Sequence, residues 1–407
     1  MWLYYLLITT FALQQQRIWN MRVMGYFTVV KLLGLVVVAL ALVYGLAKGR
    51  MNALWNKVSG LVLIYFLTAA ASLVRDLLQH RTTSEAGFTT YLAMMGLMAA
   101  TLLLVDSWKK VRNVLLASWF GVGIGGLYVL REYQLYHNVI PNFRPGWVAG
   151  DPNYYGTAVA VCLPMGLVLL DLARGITARL VVLGCFLITG LAFIVSASRG
   201  GFVAMAAFGV FAFFRNRNWR KRIVSIGAVA ILVMLLYPKS PLYRLISPSA
   251  SDERSTRYRI QLIWVGLEMI RMHPFTGNGL GSFKSVSGEE LGGPTKMAHN
   301  MYLEISAELG LPAMAIFLII IVASWRNLRE IWLRVAGDQE MKQLCFAMQG
   351  SLVSFVVASV FLMVEYQRYF WLVVFLSVAV RRLLKAAEIK GNRRVAVTIT
   401  ATDQSRG

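Results

Sequence analysis

Long uncharged apolar runs broken by short polar stretches dominate this chain, and the run from Leu32 to Ala47 is typical. Segments of this kind fall at roughly 1–13, 27–46, 57–74, 88–105, 113–130 and 154–171 in the first half. The second half adds roughly 178–195, 200–214, 223–237, 302–323, 344–363 and 369–380. An apolar stretch of about 20 residues makes a helix that crosses an about 30 Å hydrocarbon core. The pattern therefore predicts an all-α fold, a polytopic transmembrane helical bundle of about twelve spans. The first, eighth and last are short for that thickness. The opening stretch, Trp2 to Leu13, lacks a basic leader and runs into Gln14, Gln15, Gln16 and Arg17. It reads as a short first span rather than a cleavable signal.

Composition narrows the class. Of 407 residues, 57% are hydrophobic and 15% charged, with a mean hydropathy of +0.60. A soluble enzyme covers its cores with charge, at about a quarter of its residues, and a disordered chain lacks apolar runs; both are excluded. The three cysteines, Cys162, Cys185 and Cys345, sit inside apolar runs with no metal-ligand or disulfide spacing, so they read as core residues.

The chain carries 41 Lys and Arg against 19 Asp and Glu, a net charge of +22. In a soluble protein that excess would suggest nucleic acid, but in a polytopic chain it reports topology. Most of the basic residues fall on one side: Lys48, Arg50 and Lys57; Lys109, Lys110 and Arg112; Arg174 and Arg179; the cluster Arg215 to Arg222; Arg326, Arg329, Arg334 and Lys342; and the C-terminal tail. By the positive-inside rule that side, with both termini, is cytoplasmic. Membrane lipid, anionic on that face, is the expected partner of this charge, with no nucleic acid. Residues 1–237 then carry spans one to nine, 238–300 form a long external segment with amphipathic helices, and 301–382 carry spans ten to twelve. Residues 383–407 are a basic cytoplasmic tail, a disordered or interfacial end.

This topology puts three stretches with chemical potential on the outer face. Arg199 stands in Ser196-Ala197-Ser198-Arg199-Gly200-Gly201 between apolar runs with almost no loop. It is either a helix-end arginine snorkelling to water or an anion ligand, since guanidinium offers a planar fork and a helix start offers free amides. Asp252 to Arg259 opens an amphipathic stretch with Ile260, Ile263, Leu267 and Ile270 at helical spacing. Arg257 and Arg259 are there either a solvated network with Asp252 and Glu253 or a second cationic site. The Gly277-Asn278-Gly279-Leu280-Gly281 run has no preceding strand and reads as a turn rather than a dinucleotide loop. His299-Asn300 sits where the external segment re-enters the membrane, with Glu304 and Glu308 one and two turns on. His299 is a helix-capping histidine or a general base. Glu365 and Arg368 read as a structural ion pair.

Taken together these motifs resemble the O-antigen ligase and O-antigen polymerase superfamily of bacterial membrane glycosyltransferases. The residues that carry the resemblance are Ser198-Arg199-Gly200-Gly201 opening a span, Arg259 seven residues before Gly266, and His273-Pro274 to Gly277-x-Gly279-x-Gly281-x-Phe283. His299-Asn300 followed by nine residues and Gly310 is similar to the ligase pattern, with Ala313 where that pattern has a second Gly. Asp151-Pro152-Asn153-Tyr154 also resembles a family segment entering a span. The likeness is strongest from about 150 to 320.

The resemblance implies a GT-C-like fold in the bacterial inner membrane with its active site facing the periplasm. It implies transfer of a glycan from an undecaprenyl-diphosphate carrier to an acceptor hydroxyl, a lipid A core sugar in the ligases, without metal or other cofactor. On that reading His299, Arg199 and Arg259 are catalytic, Arg199, Arg257 and Arg259 bind the diphosphate, and Asn300 or Glu304 fixes the His299 ring. The alternatives are a polymerase extending carrier-linked chains, transfer to a protein Ser or Thr, and, from another class, a polysaccharide or lipid transporter. Transporters place charge near the midplane and often show repeated halves, whereas this sequence shows no internal repeat and its long external segment is asymmetric.

Overall fold

Twenty residues without a charged side chain leave the backbone no hydrogen-bond partner in lipid but itself, and a helix satisfies that condition within one segment. The computed structural model describes residues 1–12, 22–24, 27–79, 85–140, 143–146, 151–236, 240–247, 250–292, 297–335 and 338–404. Apart from a short antiparallel ladder of Arg22–Met24 with Phe27–Thr28, its regular structure is helical. The helices are α1 (Trp2–Thr9), α2 (Val29–Ala47), α3 (Lys57–Leu78), α4 (Glu85–Leu104), α5 (Trp108–Tyr136), α6 (Pro152–Leu172), α7 (Ile176–Ser196) and α8 (Arg199–Arg215). They continue as α9 (Arg220–Leu235), α10 (Pro241–Ile246), α11 (Ala250–Met272), α12 (Ser282–Leu291), α13 (Met301–Leu309), α14 (Leu311–Arg334), α15 (Gln339–Ala358) and α16 (Arg368–Gln404).

Among the described residues eight helices, α2 to α7 with α14 and α15, are long and apolar enough to cross a membrane. The chain is a multi-pass helical membrane protein. Of the about twelve segments expected, eight are thus helices of full length, and others are shorter. Helix α1 has 8 residues, α8 has 17 and α9 has 16. Two boundaries differ from the sequence pattern for identifiable reasons. The apolar run 302–323 is not one span: it breaks at Gly310, whose φ of +87° no helix accommodates, and α14 restarts with Pro312 in its first turn. The basic end expected to be a disordered or interfacial tail continues α16 as helix to Gln404.

Helix α6 is the axis of the bundle, packed by α5, α7, α8 and α15. Lipid tails are as apolar as leucine, so such packing depends on close approach rather than on the hydrophobic effect. Small residues provide it. A Cβ on Gly201 of α8 would lie 2.8 Å from the carbonyl carbon and oxygen of Gly156 on α6, and one on Gly166 would lie 2.6 Å from the Trp119 ring of α5. Ala160, Ala204 and Ala358 continue the α6–α8–α15 contact. The three cysteines are free and buried within this packing.

Antiparallel connectivity sorts the loops to two ends. At one, ion pairs join neighbouring helices: Asp106 takes Arg50 at 2.6 Å and Lys110 at 2.7 Å, Arg112 pairs with Glu340 at 3.0 Å, and Arg222 with Asp171 at 2.5 Å. At the other lie the loop before α6, the α7–α8 turn, α10 to α13 and the α15–α16 connection. Glu365 and Arg368 there are not the ion pair expected of them. The Glu365 carboxylate accepts from the hydroxyls of Tyr65 and Tyr91, while the Arg368 guanidinium lies 5.9 Å from the centre of the Phe11 ring.

Gly201→Ala is expected to force α8 from α6 and to cost on the order of 1–3 kcal/mol. Gly184→Ala on α7, where a Cβ meets nothing within 4 Å, should leave stability unchanged or raise it by roughly 0.4–1 kcal/mol. Thermal unfolding of both variants in the same detergent checks the contrast; equal midpoints would contradict the close crossing.

Candidate active site

Three helix N-termini meet at the second end of the bundle. Helix α6 opens on Asp151-Pro152-Asn153, where the Asp151 carboxylate caps by accepting from the Asn153 N–H at 2.8 Å and proline fits the first helical position. Helix α8 opens on Ser198-Arg199, with Ser198 Oγ accepting from the Gly201 N–H at 3.2 Å. Helix α13 opens after His299, with Asn300 Oδ1 accepting from the Leu303 N–H at 3.1 Å. Residues from all three line one cavity of about 210 Å³. Each helix start carries a partial positive charge.

The side chains add to that sign. Arg144, Arg199, Arg244 and Arg259 line the cavity with His299, against one carboxylate, Asp151. Burial, then the charge of Arg199, draws the Arg259 guanidinium below its ordinary pKa, with Asp151 opposing and Arg244 adding to the effect. Arg259 stays a cation near neutrality, but at a cost an arriving anion would relieve. Its buried Nε has no hydrogen-bond partner among the described residues. Thr157 and Asn153 supply neutral polar groups, and Ala358, Phe361 and Leu362 form an apolar wall.

Local packing explains why residues so far apart in sequence meet. A Cβ on Gly266 of α11 would lie 2.6 Å from Leu303 of α13, so the two helices touch there and bring Arg259, two turns earlier, beside the start of α13. The Met301 N–H donates to the Ser359 carbonyl at 2.9 Å and the Tyr302 hydroxyl to Val356 O at 2.8 Å, docking α13 on the end of α15. His299 holds a left-handed backbone, φ +53°.

The glycine run is a turn, as its sequence suggests: Gly277, Gly279 and Gly281 all have positive φ. Buried Glu308 accepts from the N–H groups of Gly281 at 2.8 Å and Phe283 at 3.1 Å. Ser72 accepts from the Leu280 N–H at 3.0 Å, and Arg75 donates to the carbonyls of Thr276 and Gly277. The turn thereby fastens α11 to α13 and α3. His273 is exposed and takes no part in the cavity.

Of the residues singled out from sequence, Arg199, Arg259 and His299 come together on one cavity wall. Arg257 does not: two positions from Arg259 on α11, it lies about 200° round the helix and is exposed. Asn300 and Glu304 make bonds other than those expected. Asn300 caps α13, and Glu304 accepts from the Ala298 N–H at 2.9 Å, so both hold the backbone flanking His299 rather than its ring. Arg144, Arg244 and Thr157 were not singled out, and Asn153 was named only within the segment that enters a span. Arg144 and Arg244 stand in irregular or very short elements with no periodicity to mark them. The Asp-Pro-Asn cap was visible as a helix start but not as part of a site. Among the described residues no group of three His, Cys, Asp or Glu side chains is placed to hold a metal ion.

Residues 184–318 match the family model described as O-antigen ligase, Wzy_C. This bears out the resemblance to the O-antigen ligase and polymerase superfamily. The matched stretch runs from α7 into α14 and contains Arg199, Arg244, Arg259 and His299. It supports a glycosyltransferase of ligase or polymerase type. The comparison with curated proteins gave no match.

Burial, then the charge of Glu308, raises the pKa of Glu304 well above the ordinary carboxylate range. Between its ordinary value and the raised one the folded protein holds more protons than the unfolded chain, so stability falls as pH rises through that window. Glu304→Gln keeps the acceptor for Ala298 and removes the charge. The variant should flatten the decline in thermal midpoint measured from about pH 5 to about pH 8; an unaltered slope would count against a charge at this position.

Proposed function

We propose that this chain is a ligase-type glycosyltransferase that takes a glycan from undecaprenyl diphosphate and passes it to an acceptor hydroxyl, with lipid A core as the favoured acceptor. The observation that carries this reading is the meeting of Arg199, Arg259 and His299, from three separate segments, on one strongly cationic cavity. In this mechanism the His299 imidazole accepts the proton of the acceptor hydroxyl as its oxygen bonds to the anomeric carbon. The bond from that carbon to the diphosphate oxygen breaks, and the electron pair leaves with the diphosphate. Arg199 and Arg259, with the amides at the start of α8, hold the charge that develops. Fixed dipoles at a site with little water stabilise it better than water does. The activated donor carries its own leaving group, so the reaction draws on no nucleotide.

The cationic end would face the periplasm of a bacterial inner membrane, with both termini cytoplasmic, about twelve membrane-crossing segments including the short helices, and a GT-C-like arrangement. The lipid tail would lie against the helices while its diphosphate reaches the cavity beside the apolar wall of Phe361 and Leu362.

Purified protein in lipid nanodiscs, given undecaprenyl-diphosphate glycan and alternative acceptors without nucleotide, should move label to lipid A core. Arg199→Ala and Arg259→Ala should each lower the rate about a hundredfold, on the order of 3 kcal/mol, and His299→Ala by about 10²–10⁴-fold. A ladder of carrier-linked glycan would make the chain a polymerase. Glycan lipid crossing a vesicle bilayer with no label transferred would make it a transporter and end the catalytic reading.

A further inference from the structure

The turn that presents Arg199 is built from two opposed helix ends. Helix α7 finishes at Ser196 with carbonyls that have no further helical N–H to bind, and α8 begins at Arg199 with the positive end of its dipole. Ala197 joins them in the left-handed region, φ +50°, which an L side chain adopts only under constraint. The constraint comes from two arginines on distant segments. Arg144, in the loop before α6, donates from Nε to the Ser196 carbonyl and from Nη2 to the Ala197 carbonyl, each at 3.0 Å. Its Nη2 also lies 3.4 Å from Asn153 Oδ1. Arg244, on α10, donates from Nη1 to the same Ala197 carbonyl at 2.8 Å. Ser198 Oγ, the cap of α8, donates to Asn153 Oδ1 at 3.2 Å and so ties the turn to α6.

We propose that Arg144 and Arg244 are positioning residues that clamp the Ser196–Ala197 turn and thereby aim Arg199 and the α8 amides at the cavity. The inference rests on the reading of Arg199 as the cation facing the leaving group. Two physical effects follow from the clamp. It pins a backbone conformation that alanine does not hold by itself. It also covers the negative end of α7 with fixed cations, so that the carbonyls two and three residues before Arg199 do not compete for its guanidinium. The α8 end is left as the pole that the cavity sees. A lysine at 144 would present one nitrogen where the guanidinium bridges two carbonyls from separate nitrogens.

The test uses the full-length protein in nanodiscs, as wild type, Arg144→Ala, Arg144→Lys, Arg244→Ala, Ala197→Gly and the double variant Arg144→Ala with Ala197→Gly. One readout is hydrogen exchange of the backbone amides of residues 197–201, and the other is the kcat and donor KM of glycan transfer. Loss of either clamp should speed exchange across the turn and lower kcat about ten- to hundredfold, with donor KM nearly unchanged. Arg144→Lys should resemble Arg144→Ala. Glycine adopts the left-handed conformation without strain, so Ala197→Gly should restore a large part of kcat in the Arg144→Ala background, which a merely destabilised fold would not allow. Unchanged exchange in both clamp variants overturns the proposal, as does a raised donor KM with kcat retained, which would make the two arginines direct ligands of the donor. Faster exchange at the turn in a protein whose wild type transfers no glycan would support the clamp and defeat the glycosyltransferase reading alone.

Discussion

Positive charge gathered at the edge of an apolar bundle has to be compensated, and the cavity end of this molecule is organised around that requirement. Arg199, Arg244 and Arg259 repel one another, and the start of α8 adds a partial charge of the same sign. Asp151 answers one of them, and the carbonyls at the end of α7 take hydrogen bonds from Arg144 and Arg244. The side chains that line the cavity keep a net positive charge, four arginines against one carboxylate. A cavity in that state is preorganised for an anion, because the cost of bringing the cations together was met when the chain folded.

The segment between α9 and α14 serves that end by attachment rather than by bulk. Helix α13 is held at its beginning by Ser359 and at its end by the glycine turn, whose amides Glu308 collects. Helix α3, long and apolar enough to cross a membrane, reaches the same turn through Ser72 and Arg75. The His299 backbone is therefore fixed by contacts that converge from α3, α11 and α15, and of these only α11, through Arg259, supplies a side chain to the proposed mechanism.

Most of the fold was legible in the sequence because uncharged apolar runs admit one solution in lipid. The break at Gly310 was not, since hydropathy is blind to a single backbone dihedral and the residues on both sides of it are apolar. Arg199, Arg259 and His299 could be singled out because each stood where a charged or titratable group was costly or marked a helix start. Their meeting could not be read, because it depends on Gly266 against Leu303, a contact between residues that carry no chemistry. Arg257 shows the opposite error: its type and neighbourhood fitted, but helical phase sends it to solvent. Arg144 and Arg244 escaped notice for a related reason, as their partners are main-chain carbonyls, and a carbonyl leaves no mark in a sequence.

The contact of Gly156 with Gly201 has a consequence for how such a site can change. Next to Thr157 and Gly200 the crossing is main chain against main chain, so the distance across the base of the cavity is set by the separation of two helix axes. Trimming side chains has nothing to remove there. Room for a bulkier anion would have to come from the adjoining side-chain wall, at Phe361 and Leu362, where there are atoms to trim without moving a helix.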